Sequence, residues 1–144
     1  MTGSGDDPVD RYVALLTALT PARLDDLKAL CAPEVRFADP FNDVVGPDRV
    51  AAVFADMFAR VHDMSFEVTD RCGDARRAYL RWIFRFRTRP GGKMWTFTGV
   101  AEVHFDAEGR LSAHLDHWDA AGQLYEKLPL IGTVLRALRR RLAV

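Results

Sequence analysis

The sequence shows no excess of either charge: twenty Lys and Arg residues balance twenty Asp and Glu. A domain built to neutralise a nucleic-acid backbone carries a basic stripe and a high isoelectric point, so no nucleic-acid partner is expected. Cysteine is nearly absent as well. Cys31 and Cys72 are too few and too far apart for a disulfide framework, a zinc cluster or a redox pair. They read as reduced, separately packed thiols of a cytoplasmic protein. No apolar run approaches the roughly 20 residues that span a bilayer, and no N-terminal hydrophobic run resembles a signal peptide. Metal chemistry lacks a ligand set too: in His114-Leu115-Asp116-His117 the strand alternation turns His117 away from the other two, and no second cluster completes a shell.

What is present is one domain of 144 residues, long enough to bury about 70% of its unfolded surface. Residues 1–7, rich in Gly, Ser and Asp, read as a disordered N-terminus. A helix starts near Pro8 with Val9, Tyr12, Val13, Leu15, Leu16 and Leu19 on an apolar stripe. A second carries Leu24, Leu27, Leu30 and Cys31 and ends before Pro33. A short strand, Val35 to Ala38, stops at Asp39-Pro40, and a loop leads to a third helix at Gly46-Pro47-Asp48. Its residues Val50, Val53, Phe54, Met57, Phe58 and Val61 share one face.

After His62 the period becomes two. Alternation predicts strands through Met64–Val68, Ala78–Thr88, Lys93–Phe105 and Arg110–Asp119, with turns at Gly73, Pro90-Gly91-Gly92 and Asp106–Gly109. One face of the second holds Leu80, Trp82, Phe84 and Phe86, and one face of the third holds Trp95, Phe97, Gly99, Ala101, Val103 and Phe105. In the fourth, Ser112, His114, Asp116 and Trp118 share a face opposite Leu111, Ala113, Leu115, His117 and Asp119. Helices followed by long antiparallel strands make an α+β domain with helices on one side of a curved sheet. Outward arginines (Arg81, Arg85, Arg87) suit salt bridges across the sheet to Glu67 and Glu102, or a dimer surface.

Asp39, at a strand end with its turn fixed by proline, admits three readings: a general base, a pocket-lining acid, or a turn former. His114 and Asp116 are either an acid/base pair that faces it or a buried structural hydrogen bond. Residues 129–144 stand apart. They carry four arginines and no acid, while the preceding part of the chain has a net charge of −4. Ile131, Val134, Leu135, Leu138 and Leu142 make a basic amphipathic helix, which either packs on the body, touches an anionic membrane, or is disordered.

Two blocks resemble the ketosteroid isomerase/SnoaL-like branch of the nuclear transport factor 2-like superfamily. They are Phe37-Ala38-Asp39-Pro40-Phe41 with the following Gly46 and helix, and Phe105-Asp106-Ala107-Glu108-Gly109-Arg110 running on to Trp118. The resemblance covers the chain up to about Asp119 within a domain taken as residues 8–128. It implies a cone-shaped fold, with three N-terminal helices on a curved mixed or antiparallel sheet and the C-terminal helix as an addition. It also implies Asp39 as base, Trp118 as a pocket wall, and a concave face that includes Ala101, His114, Asp116 and Trp118. With it come an apolar pocket lined by Phe37, Phe41, Phe54, Trp82, Trp95 and Phe97, a small hydrophobic ligand, no cofactor, and homodimers paired through the sheet. The isomerase's oxyanion donors are missing. Its tyrosine position falls at or near Leu15, its aspartic acid position at Ala101, and its supporting tyrosines at Cys31 and Phe54, so the hydroxyl network is expected to be gone. Losing one such donor costs about 100- to 1000-fold in rate. The implied functions are therefore a cofactor-free isomerase, dehydratase or hydrolase, or a binding protein or interaction module that has lost chemistry.

Overall fold

The computed structural model describes residues 6–143. Helix α1, Pro8–Thr17, begins where proline's fixed φ suits the first turn, and Asp7 caps it by accepting from the Val9 N–H at 2.9 Å. Asp7 also pairs with Arg71 at 2.9 Å; of the N-terminus expected to be disordered, residues 1–5 lie outside the described part. After a 3-10 turn at Pro21–Arg23 comes the short helix α2, Leu24–Leu30. It buries Leu27 completely and hands the chain directly to strand β1, Cys31–Ala38.

Strand β1 starts four residues before its expected Val35, because its pairing skips between Cys31 and Arg36 and the irregularity accommodates Pro33. A three-residue strand, β2 (Asp43–Val45), follows where a plain loop was expected. It is too short to show alternation. It pairs antiparallel with β1, and Arg36 clamps Asp43 through two hydrogen bonds of 2.9 and 2.8 Å. Helix α3, Pro47–Arg60, then starts at Gly46, whose φ of +102 lies in the region that only glycine enters freely.

The long strands β3 (His62–Gly73), β4 (Arg77–Arg87) and β5 (Met94–Phe105) and the shorter β6 (Leu111–His117) complete one six-stranded sheet. Its order is β2-β1-β6-β5-β4-β3, antiparallel throughout except where β1 runs parallel to β6. Bulges near His62–Ser65, Val68–Asp70 and His104–Phe105 bend it around α1 and α3. The last bulge corrects one expectation. Ser112 is the extra residue on β6, so Leu111 turns into the core, 1% exposed, and does not join Ala113 on the outer face.

The core is where the stripe of α1 (Val9, Tyr12, Leu15, Leu16) meets Leu80, Ala101, Val103 and Phe105 of the sheet. On the convex side Arg85 pairs with Glu67 at 3.4 Å, as the charge pattern suggests. Glu102 instead holds His104 at 2.7 Å and His117 at 3.5 Å, because those are its neighbours in the sheet. Tyr79, Met94 and Val100 stand exposed there. Beyond β6 the chain forms the short helix α4 (Ala120–Gln123), capped by Asp119, a 3-10 turn at Tyr125–Lys127, and the helix α5 (Ile131–Leu142). No helix among the described residues is long and apolar enough to cross a membrane.

The two thiols are held differently. Cys31 is buried, its S–H donating to the Leu27 carbonyl at 3.2 Å, and burial pushes its thiol up to about 11; Cys72 is exposed. At pH 8 the Cys31 thiolate is therefore scarce. A disulfide-exchange reagent should titrate one thiol per folded chain, and two once denaturant is added. Two fast thiols in the folded protein would show that β1 does not close over Cys31.

Candidate functional site

Between α3 and the concave face of the sheet lies a cavity of about 560 Å³. Its walls are apolar: Leu16 and Leu19 from α1, Val53, Phe54, Met57 and Phe58 from α3, and Phe37, Phe66, Trp82, Phe84, Phe97 and Trp118 from the sheet side. Phe97 stacks on Trp118 with centroids 4.7 Å apart, and Phe37 meets Phe54 edge-on at 5.5 Å. Gly99 leaves room for Trp82 and Trp118 beside it. A Cβ there would lie 2.5 Å from the Trp82 ring and 2.8 Å from the Trp118 Cβ.

Polar groups reach this cavity on one side. His114 is 2% exposed, its ring against Phe37 at 4.9 Å. Its Nδ1 lies 2.7 Å from the Tyr12 hydroxyl and its Nε2 2.9 Å from Asp116 Oδ1. The same Oδ1 accepts the Trp82 Nε1–H at 3.1 Å. The direction of this chain follows from its ends. Burial, and then the nearby Cys31 and Asp116, push the Tyr12 hydroxyl well above its ordinary value, so it keeps its proton, and the acceptor described for that proton is His114 Nδ1. His114 Nδ1 must then accept, which assigns the proton of the ring to Nε2, where it donates to Asp116. Tyr12, His114, Asp116 and Trp82 form one run of bonds that ends on Asp116 Oδ1.

Asp39 enters from the neighbouring strand. Phe37 is level with His114 and Ala38 with Leu115, so the next residue, Asp39, comes level with Asp116 just as β1 ends. Both acids line the cavity. Asp39 Oδ1 accepts the backbone N–H groups of Phe41 at 2.8 Å and Asn42 at 2.7 Å, and its own N–H donates to the Asn42 carbonyl at 2.9 Å. The Asn42 side chain bridges both carboxylate oxygens at 3.1 and 3.2 Å. Asp39 thus builds its turn with Oδ1 and keeps Oδ2 lightly engaged. Asp116 is arranged alike, with both bonds on Oδ1. At the rim Asp56 and Arg60 pair with each other at 2.9 Å.

The expected site residues therefore separate into groups. Asp39, His114 and Asp116 meet at one cavity wall, with Phe37, Phe54, Trp82, Phe97 and Trp118 around it. Phe41 lies at the mouth, 55% exposed, edge-on to Trp118 and Tyr125. Trp95 and Ala101 are not among the lining residues. Trp95 packs edge-on to Phe97 with Lys93 over its outer face, and Ala101 is fully buried opposite Asp116 in the sheet register. The expectation that every hydroxyl of the network is gone needs correction. Leu15, Cys31, Phe54 and Ala101 indeed carry none, but Tyr12, one helical turn before Leu15, brings a hydroxyl to His114 from behind the wall. Tyr12 sits on the apolar stripe of α1, and only the pairing of α1 with β6 reveals its partner.

The fold and the sequence agree on the family. Residues 9–114 match the SnoaL-like domain, so the chain belongs to the SnoaL-like family. Among solved structures it resembles an NTF2-like protein of unknown function from Exiguobacterium sp. (20% identity, 78% of this chain and 98% of that one, TM-score 0.66). It also resembles a protein of ketosteroid isomerase-like fold from Catenulispora acidiphila, solved in complex with trimethylamine (12% identity, 83% and 90%, TM-score 0.69). A third is an LEH-like epoxide hydrolase from M. tuberculosis (16% identity, 92% and 89%, TM-score 0.65). At these identities the likeness is one of fold. No curated protein matches the chain in sequence.

Two substitutions test the geometry. Tyr12→Phe removes the donor to a buried ring nitrogen and should lower the unfolding free energy by about 1–3 kcal/mol in urea, with the secondary structure intact. Gly99→Ala, which forces a methyl group between Trp82 and Trp118, should cost about 1–3 kcal/mol and change the near-ultraviolet dichroism of the tryptophans. An unchanged midpoint in either variant would contradict the contacts described.

Proposed function

We propose that the cone is the active site of an acid–base enzyme acting on a small, largely apolar molecule, with Asp39 and Asp116 as its proton-transfer pair. One observation carries the reading: two carboxylates, one on β6 and one in the turn that ends the adjacent β1, line one apolar cavity, each taking most of its hydrogen bonds on Oδ1. His114 and Trp82 position Asp116, and Asn42 with the turn amides positions Asp39. Asp39 takes a proton from water or from carbon, while Asp116 gives one to the oxygen that develops charge. The proton gained by Asp39 returns through water to Asp116 Oδ2, which closes the cycle, and no cofactor is needed for such proton transfers.

The choice among reactions follows from what the cavity can donate. An enolate needs fixed O–H or N–H donors, and here the Trp82 N–H and the Tyr12 O–H are already committed to Asp116 and His114. A protonated carboxyl that hands its proton to a departing or opening oxygen suits this wall better. Epoxide opening by water, or loss of water from a β-hydroxy carbonyl compound, is therefore favoured over steroid-type isomerisation. A second reading rests on the Asp39 turn, whose three donors to Oδ1 would serve a receptor equally well. In that case the cavity binds an apolar ligand without converting it.

A panel of small apolar epoxides and β-hydroxy ketones distinguishes them. Asp39→Asn and Asp116→Asn should each lower kcat by about 100- to 10 000-fold while the fold, by circular dichroism, stays the same. Full activity in either variant would remove that residue from the chemistry. Saturable binding with no turnover by the unaltered protein would decide for the receptor.

A further inference from the structure

Helix α5 is turned the wrong way for a segment that only packs on its own domain. It meets the body through Gly132, whose missing side chain lets the helix approach the Glu126 carbonyl, and through Arg136 and Arg139, which reach the Glu126 carbonyl and its carboxylate. At 100° per residue, Gly132 and Arg136 lie on one side, while Ile131, Val134, Leu135, Leu138 and Leu142 lie within a sector about 100° wide on another. Four of these five face outward, while Leu135 is half-buried. Ile131 is 57% exposed, Val134 67%, Leu138 51% and Leu142 76%.

The residue before the helix adds to it. Leu130 has φ 64 and ψ −69, and the Ile131 N–H donates back to the Pro129 carbonyl at 2.8 Å. This is a γ-turn of the strained kind, which a leucine adopts only at a cost. Its result is a leucine 84% exposed at the head of the apolar sector.

The charges identify what covers this surface. On the helical wheel Arg139 and Arg141 flank the apolar sector at about 80° on either side of Ile131; Arg139 is paired with Glu126 at 2.9 Å yet its side chain is 70% exposed, so both stand where long side chains reach up from an interface to phosphate groups. Helix α5 has four arginines and no acid. A second α5 laid on the first would set arginine against arginine. The sector is also small for a dimer: a twelve-residue helix is about 18 Å long, so its outward face covers some 200–300 Å², against about 800 Å² per partner in a stable interface. We propose that α5 with Leu130 docks the protein on an anionic lipid surface, lying in the interface with the apolar sector down and the arginines among the headgroups. The site is independent of the cavity and would hold whether or not the cavity is catalytic.

Co-sedimentation of the full-length protein tests this directly. The vesicles are of equal parts phosphatidylglycerol and phosphatidylcholine, with pure phosphatidylcholine as the comparison. Binding is expected to the anionic vesicles alone and should weaken steeply as salt rises to about 0.5 M. The double variant Val134→Glu/Leu138→Glu should lose it. Arg139→Gln/Arg141→Gln should weaken it by roughly 25-fold, about fivefold per arginine. These positions are exposed, so the circular dichroism of both variants should match the parent. Absence of binding at low salt, or unchanged binding by the glutamate variant, would overturn the proposal. So would a lipid-free dimer, seen in sedimentation velocity, that the glutamate variant abolishes, because the cover would then be a second copy.

Discussion

A single hydrogen bond inside the core, from the Tyr12 hydroxyl to His114 Nδ1, decides how the polar wall of this protein is arranged. An imidazole that is almost wholly buried needs a partner on each nitrogen, since an unmet polar atom in the interior costs about as much as several good apolar contacts provide. Tyr12 supplies the first partner from α1 and Asp116 the second from β6 itself. A tyrosine hydroxyl can donate or accept, but His114 Nδ1 is the acceptor described for this buried O–H, so the ring carries its proton on Nε2 and Asp116 accepts it. The carboxylate is thus held by the core on one side and offered to the cavity on the other. Packing and site chemistry are here the same set of bonds.

The parallel pairing of β1 with β6 is the second constraint. It is the one parallel contact in the sheet, and it sets Phe37 beside His114 and Asp39 level with Asp116. Pro40 and the Asn42 turn end β1 at that point, so the backbone that would otherwise continue the strand instead donates to the Asp39 carboxylate. An acid in a tight turn and an acid lining a cavity are often treated as alternatives. Asp39 is both. Around the pair stand the aromatic walls, and the Gly99 gap lets Trp82 and Trp118 approach closely.

Much of this architecture is legible in the residue order. The α1 stripe, the Gly46-Pro47 start of α3 and the two-residue alternation of β3 to β6 each follow from local rules of burial and turn geometry. What escaped were features set by long-range pairing. Strand β2 is too short to alternate, and the β6 bulge at Ser112 moves Leu111 inward with no trace in composition. The role of Tyr12 was hidden for the same reason: on a helix stripe a tyrosine reads as one more apolar residue, and its partner is 102 positions away. Trp95 and Ala101 look inward by parity, yet one lies beside the cavity wall and the other beneath it. Alternation tells which face a side chain takes and does not tell how deep the cavity reaches.

The direction of the proton in the Tyr12–His114–Asp116 run is the claim on which the site rests, and nitrogen NMR of the His114 ring reads it without substrate. The account predicts a pyridine-type resonance for Nδ1 and a pyrrole-type resonance for Nε2 at neutral pH, with the Nδ1 signal displaced in Tyr12→Phe. A pyrrole-type Nδ1, or two pyrrole-type nitrogens that mark an imidazolium, would contradict it.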